Sequence, residues 1–189
     1  MGFNVSTVSI RGLPESDVHA LLGLKSTGRS EEDPDSPVVA ATLPSGWYLI
    51  YFNDHDHPDL GILAQQFPSV EFLCCETSET VKYSAVRFWQ SGKLKWSVVH
   101  DSSKGFDHLE IRGELPPTWS LIDQRLRTLQ KAKAKGVDHL FDIPVELARD
   151  ITGFRYDGNP GGYPVDCFSV LERNLPHSKG WHFWKKSQE

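Results

Sequence analysis

Trp47-Tyr48-Leu49-Ile50-Tyr51-Phe52 is an unbroken apolar and aromatic run, and Val70-Glu71-Phe72-Leu73-Cys74-Cys75 is a second segment of strand character. A run that is apolar on both faces is expected of a strand covered on both sides. Between the two, Leu60, Ile62 and Leu63 pick out a short helix over residues 58–66. Strands joined by a crossover of this length can lie parallel, and the right-handed connection is strongly preferred. The expected core unit is therefore β-α-β, with the C-terminal ends of both strands on one edge of the sheet.

Upstream, Phe3 to Ile10 alternates loosely and reads as a strand. Pro14-Glu15-Ser16-Asp17 opens a short helix through Leu24, with Val18, Leu21 and Leu22 facing inward. Lys25 to Pro37 is polar throughout apart from two prolines and is expected to be a mobile surface loop. Downstream, Ser84 to Trp89 alternates, Gln90-Ser91-Gly92-Lys93 signals a turn, and Leu94, Trp96 and Val98 share one face of the next strand. Leu109 and Ile111 mark one more strand, which completes a meander.

Helices follow. Trp119, Ile122, Leu126 and Leu129 form one apolar stripe, between Pro116-Pro117 and a stop at Gly136. A second helix runs from Pro144 to Thr152, started by Asp142 and stopped by Gly153. Phe154 to Glu189 reads as mostly irregular, with a short strand at Cys167 to Leu171, and Trp181, Phe183 and Trp184 either seal the core, the favoured reading, or mark a contact surface. The expected fold class is α+β: a single mixed, mostly antiparallel sheet with one parallel crossover, helices packed on it and a helical and irregular C-terminal part. It forms one domain over residues 1–189, sheet-rich in 1–116 and helical in 117–155, with the tail 156–189 packed against it.

Composition narrows the function classes. The 189 residues carry 20 Lys and Arg against 25 Asp and Glu, a net charge of −5 that argues against a dedicated nucleic-acid binder. Arg125, Arg127, Lys131, Lys133 and Lys135 give the first of the two helices a basic stripe, read as a solvated face. No apolar run approaches the roughly 20 residues of a membrane span. Met1 to Thr7 lacks a charged and an apolar region, so no secretory signal is expected. Cys74, Cys75 and Cys167 are an odd number of thiols without CxxC spacing, which points to a cytoplasmic protein without structural zinc. Cys74 and Cys75 point to opposite faces of their strand and read as inert core residues. No GxGxxG, GxxxxGK[ST] or GxSxG pattern is present. No cofactor is expected.

The β-α-β reading gathers three loops at one sheet edge: Asn53 to Asp59, Glu76 to Glu79, and His100 to His108. They hold Asp54, Asp56, Asp59, Glu76, Glu79, Asp101 and Asp107, four histidines (His55, His57, His100, His108), and Lys104 as the one base. Three readings fit such an edge. It could be a solvated rim, a docking surface for a basic protein, or a metal-dependent hydrolytic site using His55 and His57 with Asp54 or Asp101. Tyr83, Trp47 and Trp89 are aromatic anchors for the docking surface wherever they reach solvent.

Several stretches resemble a known group. They are Gly46 to Asn53, Cys75 to Ser84, Trp89 to Asp101, Gly113-Glu114-Leu115-Pro116, Phe141 to Ala148, and Thr152-Gly153-Phe154-Arg155. Together they resemble small bacterial immunity-type proteins that neutralise secreted toxins. The resemblance covers roughly residues 46–155 and implies a non-enzymatic module that binds a cognate toxin domain, without nucleic acid or membrane. Its contact residues would be Asp54, His55, Asp56, His57, Asp59, Glu76, Glu79, Tyr83, Asp101 and Asp107. A regulatory scaffold would differ from it only in the partner, and the oligomeric state is left open.

Overall fold

A computed structural model describes residues 2–132, 138–158 and 162–174. Lys133, Lys135, Gly136, the centre of the Gly158 to Gly162 stretch, and Trp181, Phe183 and Trp184 lie outside the described residues. The described chain forms nine strands and four α-helices: β1 (Asn4–Arg11), α1 (Glu15–Leu22), β2 (Leu24–Glu31), β3 (Val38–Thr42), β4 (Tyr48–Phe52), α2 (Leu60–Gln66), β5 (Glu71–Ser78), β6 (Tyr83–Gln90), β7 (Lys93–Asp101), β8 (Glu110–Gly113), α3 (Trp119–Ala132), α4 (Asp142–Thr152) and β9 (Phe168–Arg173). They build one open sheet in the order β2-β9-β3-β4-β1-β5-β6-β7-β8. Every ladder is antiparallel.

The expected parallel pairing of residues 47–52 with 70–75 is overturned, because β1 lies between β4 and β5 and pairs with both. The reason is burial. Six consecutive residues of β1, Val5 to Ile10, are buried, and Ser6, Thr7 and Ser9 are short enough to pack inside a two-sided core. A strand buried on both faces needs a central slot, and α2 carries the chain across it. Since β4 and β5 each run antiparallel to β1, they still point the same way.

The stretch Lys25 to Pro37 is not a loop throughout, for its first half is β2, paired with β9. β2 is an edge strand with one fully buried residue, Leu24, so it shows no apolar period. Its polar and charged side chains are what protects such an edge from pairing with another chain. β9 enters between β2 and β3 and makes residues 168–173 part of the sheet rather than of an irregular tail. β3, which the sequence reading passed over, is Val38-Val39-Ala40-Ala41-Thr42.

Both faces of the sheet are covered. Val8, Ile10, Ile50, Phe52, Phe72 and Cys74 pack under α1 and α2 through Val18, Leu22, Leu60 and Leu63. Val5, Leu49, Tyr51, Leu73, Cys75, Val86 and Val98 pack under α3 and α4 through Ile122, Leu126, Ile143 and Leu147. Cys74 and Cys75 thus lie in different cores, as their adjacency on a strand requires. Leu129, expected in the α3 stripe, is exposed. Ser91 and Gly92 both have positive φ between Gln90 and Lys93, the two-residue turn whose twist matches its hairpin.

Gly113 ends β8 at φ +78°, and a Cβ there would stand 1.9 Å from the Lys95 carbonyl oxygen. Gly113→Ala is expected to lift the end of this edge strand from β7. Hydrogen exchange should then quicken over residues 110–113 and stay unchanged in β1 and β5. Uniform protection across β8 would contradict the close approach.

Candidate functional site

The common direction of β4, β5 and β7 brings their C-terminal ends to one rim, together with the starts of β1, β3 and β6. The three loops singled out from the sequence therefore do share an edge, although the crossover that motivated them is absent. A fourth acidic segment joins them. Glu32, Asp33 and Asp35 precede β3 and are exposed, and Asn53 Nδ2 donates to the carbonyls of Pro34 and Ser36, both at 2.7 Å. Sequence reading missed this neighbour because it depends on β3, which the reading did not identify.

Most of the seven rim carboxylates are already engaged. Asp59 caps α2 by accepting from the Gly61 and Ile62 amides. Asp56 pairs with Arg173 at 2.8 Å, a base contributed by β9. Glu79 accepts from the Tyr156 hydroxyl at 2.8 Å and from the Phe3 amide at 3.1 Å. Asp101 accepts from the Ser103 amide and hydroxyl, and Lys104 lies 4.0 Å away. These contacts hold its carboxyl below the usual range, the Ser103 hydroxyl foremost. Asp54 turns its loop by accepting from the Asp56 amide and is exposed, as is Asp107. Among the described residues no cation pairs with Glu32, Asp33 or Asp35, so the open negative charge of the rim lies with these three, Asp54 and Asp107.

Glu76 is not a loop residue. It sits in β5 on the α2 face, opposite Ser6 on one side and Ala85 on the other. Its carboxylate pairs with Arg87 and accepts from Tyr83, while Arg87 Nη2 donates to the Tyr83 hydroxyl at 3.2 Å. His57 Nε2 lies 3.2 Å from Glu76 Oε1 and 3.6 Å from Cys74 Sγ, and its Nδ1 lies 2.9 Å from the Pro58 carbonyl. Both ring nitrogens face groups that accept, so both carry hydrogen and the ring is cationic. Burial opposes that charge, but the Cys74 sulfur and the Glu76 carboxylate outweigh it and push the His57 pKa up to about 11. Burial likewise opposes ionised Glu76, and the His57 hydrogen bond and the Arg87 guanidinium override it, to about 2. His55, at φ +55°, turns the loop and places its Nε2 3.0 Å from the Thr77 carbonyl. Burial lowers its pKa against the pull of Glu76.

Two expected rim histidines are structural. His100 is fully buried, with Nε2 2.9 Å from Asp138 and Nδ1 2.8 Å from the His108 carbonyl. His108 Nδ1 accepts from the Asp101 amide. The β7–β8 loop is thereby fastened to the core below it. The Ser102 amide and hydroxyl donate to the carbonyls of Lys82 and Val81, which fastens the same loop to the β5–β6 turn. On these two stapled loops stand Phe106, 74% exposed, and Val81, 61% exposed. The aromatics proposed as anchors are otherwise employed. Trp47 is buried, Trp89 packs against the α2-side core, and the Tyr83 hydroxyl belongs to the Glu76 cluster. An isolated aromatic between Gly105 and Asp107 in a polar loop was the available signal for Phe106.

The structure does not unite His55, His57 and Asp101, which are committed to Thr77, Glu76 and Ser103 respectively. Among the described residues no group of three His, Cys, Asp or Glu side chains is disposed to hold a metal ion. No helix among them is long and apolar enough to cross a membrane. Comparisons of the chain with protein-family models, curated proteins and solved structures return no match.

Proposed function

We propose that the chain is a non-enzymatic protein-binding module of the immunity type, acting in the cytoplasm and masking a basic toxin domain with its rim. The observation that carries this reading is Phe106 and Val81, projected into solvent from loops that hydrogen bonds hold rigid, on the rim that also carries carboxylates without a countercharge. Interfaces draw their energy from a few rigid apolar anchors, and surrounding charge steers the encounter. Pre-stapled loops reduce the ordering cost of association.

The test is a calorimetric titration against the protein encoded by the adjacent gene, at low and at physiological salt. Binding is expected at low salt and should weaken as salt rises. Phe106→Ala should cost at least about tenfold in affinity, in line with an anchor worth more than ~1 kcal/mol. Leu121→Ala, on exposed α3, should leave affinity unchanged. No binding at low salt, or an unchanged affinity for Phe106→Ala, would overturn the proposal.

A further inference from the structure

The two outer strands of the sheet differ. β2, at one end, pairs with β9 through a register shift between Ser26 and Ser30, and an irregularity of this kind turns an edge away from further pairing. β8, at the other end, runs along β7 without a shift, from Glu110 opposite Val99 to Gly113 opposite Trp96. Among the described residues no strand pairs with its outer side. The open backbone groups of a regular edge are a template for another strand.

The side chains of β8 select which strand. Ile111 stands opposite the buried Val98, on the face that α3 and α4 cover, yet it is 43% exposed. Glu110 and Arg112 project from the other face, because neighbours on a strand alternate. Within one chain these two pair with each other at 2.6 Å, but the Arg112 side chain is 70% exposed, so water screens the contact and exchanging it costs little. An antiparallel pair of identical strands centred on Ile111 sets the two isoleucines against each other. Glu110 of each copy then faces Arg112 of the other. Charges of one sign along this edge would repel a second copy, whereas Glu-Ile-Arg is its own complement, with one apolar and two oppositely charged cross-strand pairs.

We infer that two copies of the chain associate through β8, antiparallel about a two-fold axis at Ile111, which joins their sheets into one. Such an isologous contact closes on itself and stops at the dimer. A contact built on four residues a side belongs to the small class, below about 1,200 Å² in total, whose dimers dissociate on dilution. It does not depend on what the rim binds.

Sedimentation velocity of the full-length chain tests this from about 1 μM to about 1 mM, the span over which weak contacts form. The mass should climb from 21.3 kDa toward twice that value as concentration rises. Glu110→Arg alone and Arg112→Glu alone should each weaken the dimer at least about tenfold, because each turns two attractive pairs into two repulsive ones. Mixing the two variants should restore association, since an all-basic edge then meets an all-acidic one. Both side chains lie outside the two cores, and circular dichroism checks the fold of each variant before mixing. The wild-type series stands without them. A chain that stays monomeric at the highest concentration, its β8 left to the strand of a different protein, would overturn the inference. So would a dimer that neither substitution weakens, or folded variants that do not associate when mixed.

Discussion

Arg87→Ala should destabilise the protein by about 1–3 kcal/mol, because a largely buried carboxylate loses one of its two cationic partners and keeps His57 alone. Glu76 and Arg87 expose only 19% and 21% of their side chains, so solvent can replace little of the lost interaction. Glu76→Gln removes the same contact from the other side, so in the double variant the two losses should overlap rather than add, with a coupling of about 0.5–3 kcal/mol. Urea unfolding of the two single variants and the double variant measures this as a double-mutant cycle. Simple addition of the two losses would refute the pairing.

The same cluster shapes the pH dependence. Glu76 falls from an ordinary 4.5 to about 2 on folding, so its contribution is complete above pH 4.5 and is lost as pH falls toward 2. His57 rises from 6.5 to about 11, so its contribution is complete below pH 6.5 and is lost as pH climbs toward 11. Both are fully present between pH 4.5 and 6.5, where the melting temperature should peak. In His57→Gln the decline above pH 6.5 should flatten, and the acid limb should shrink without vanishing, because Arg87 still pairs with Glu76. An unchanged alkaline limb in that variant would show that His57 is not the titrating group.

Phe72→Ala should cost a further ~3–5 kcal/mol, the range for truncating a fully enclosed aromatic side chain. Phe72 has no exposed surface and stands on β5 opposite Ile10 and Trp89, packed with Leu60, Leu63 and Ala64 of α2. The cavity would open between the central strands and α2, where the sheet has little freedom to collapse. The urea midpoint should drop with its slope unchanged, the mark of lost stability without a changed denatured state. Phe67→Ala, five residues earlier on a half-exposed ring, should stay within ~0.5 kcal/mol. A Phe72 variant as stable as the Phe67 variant would place β5 outside the core.

Local pattern alone was enough for the segments whose signal is carried by neighbours in the chain. The all-apolar run of β4, the Ser91-Gly92 hairpin, and the α4 stop at Gly153, with φ +78°, are each decided within a few residues. The opposite facing of Cys74 and Cys75 follows from strand geometry in the same way. Tertiary structure decided what depends on partners distant in sequence. β1 occupies the centre because its serines and threonine can be buried on both sides, a property that binary pattern mistakes for half-exposure. β2 is a strand because β9 offers it a ladder, and a backbone ladder leaves no trace in side-chain period. The rim charges read as open from composition, yet Arg87, Arg173 and Tyr156 arrive from β6, β9 and the segment after α4 to engage three of them. Charge balance is a property of space rather than of sequence order, so only the folded chain could tell which carboxylates face solvent and which cysteine lies against a cation.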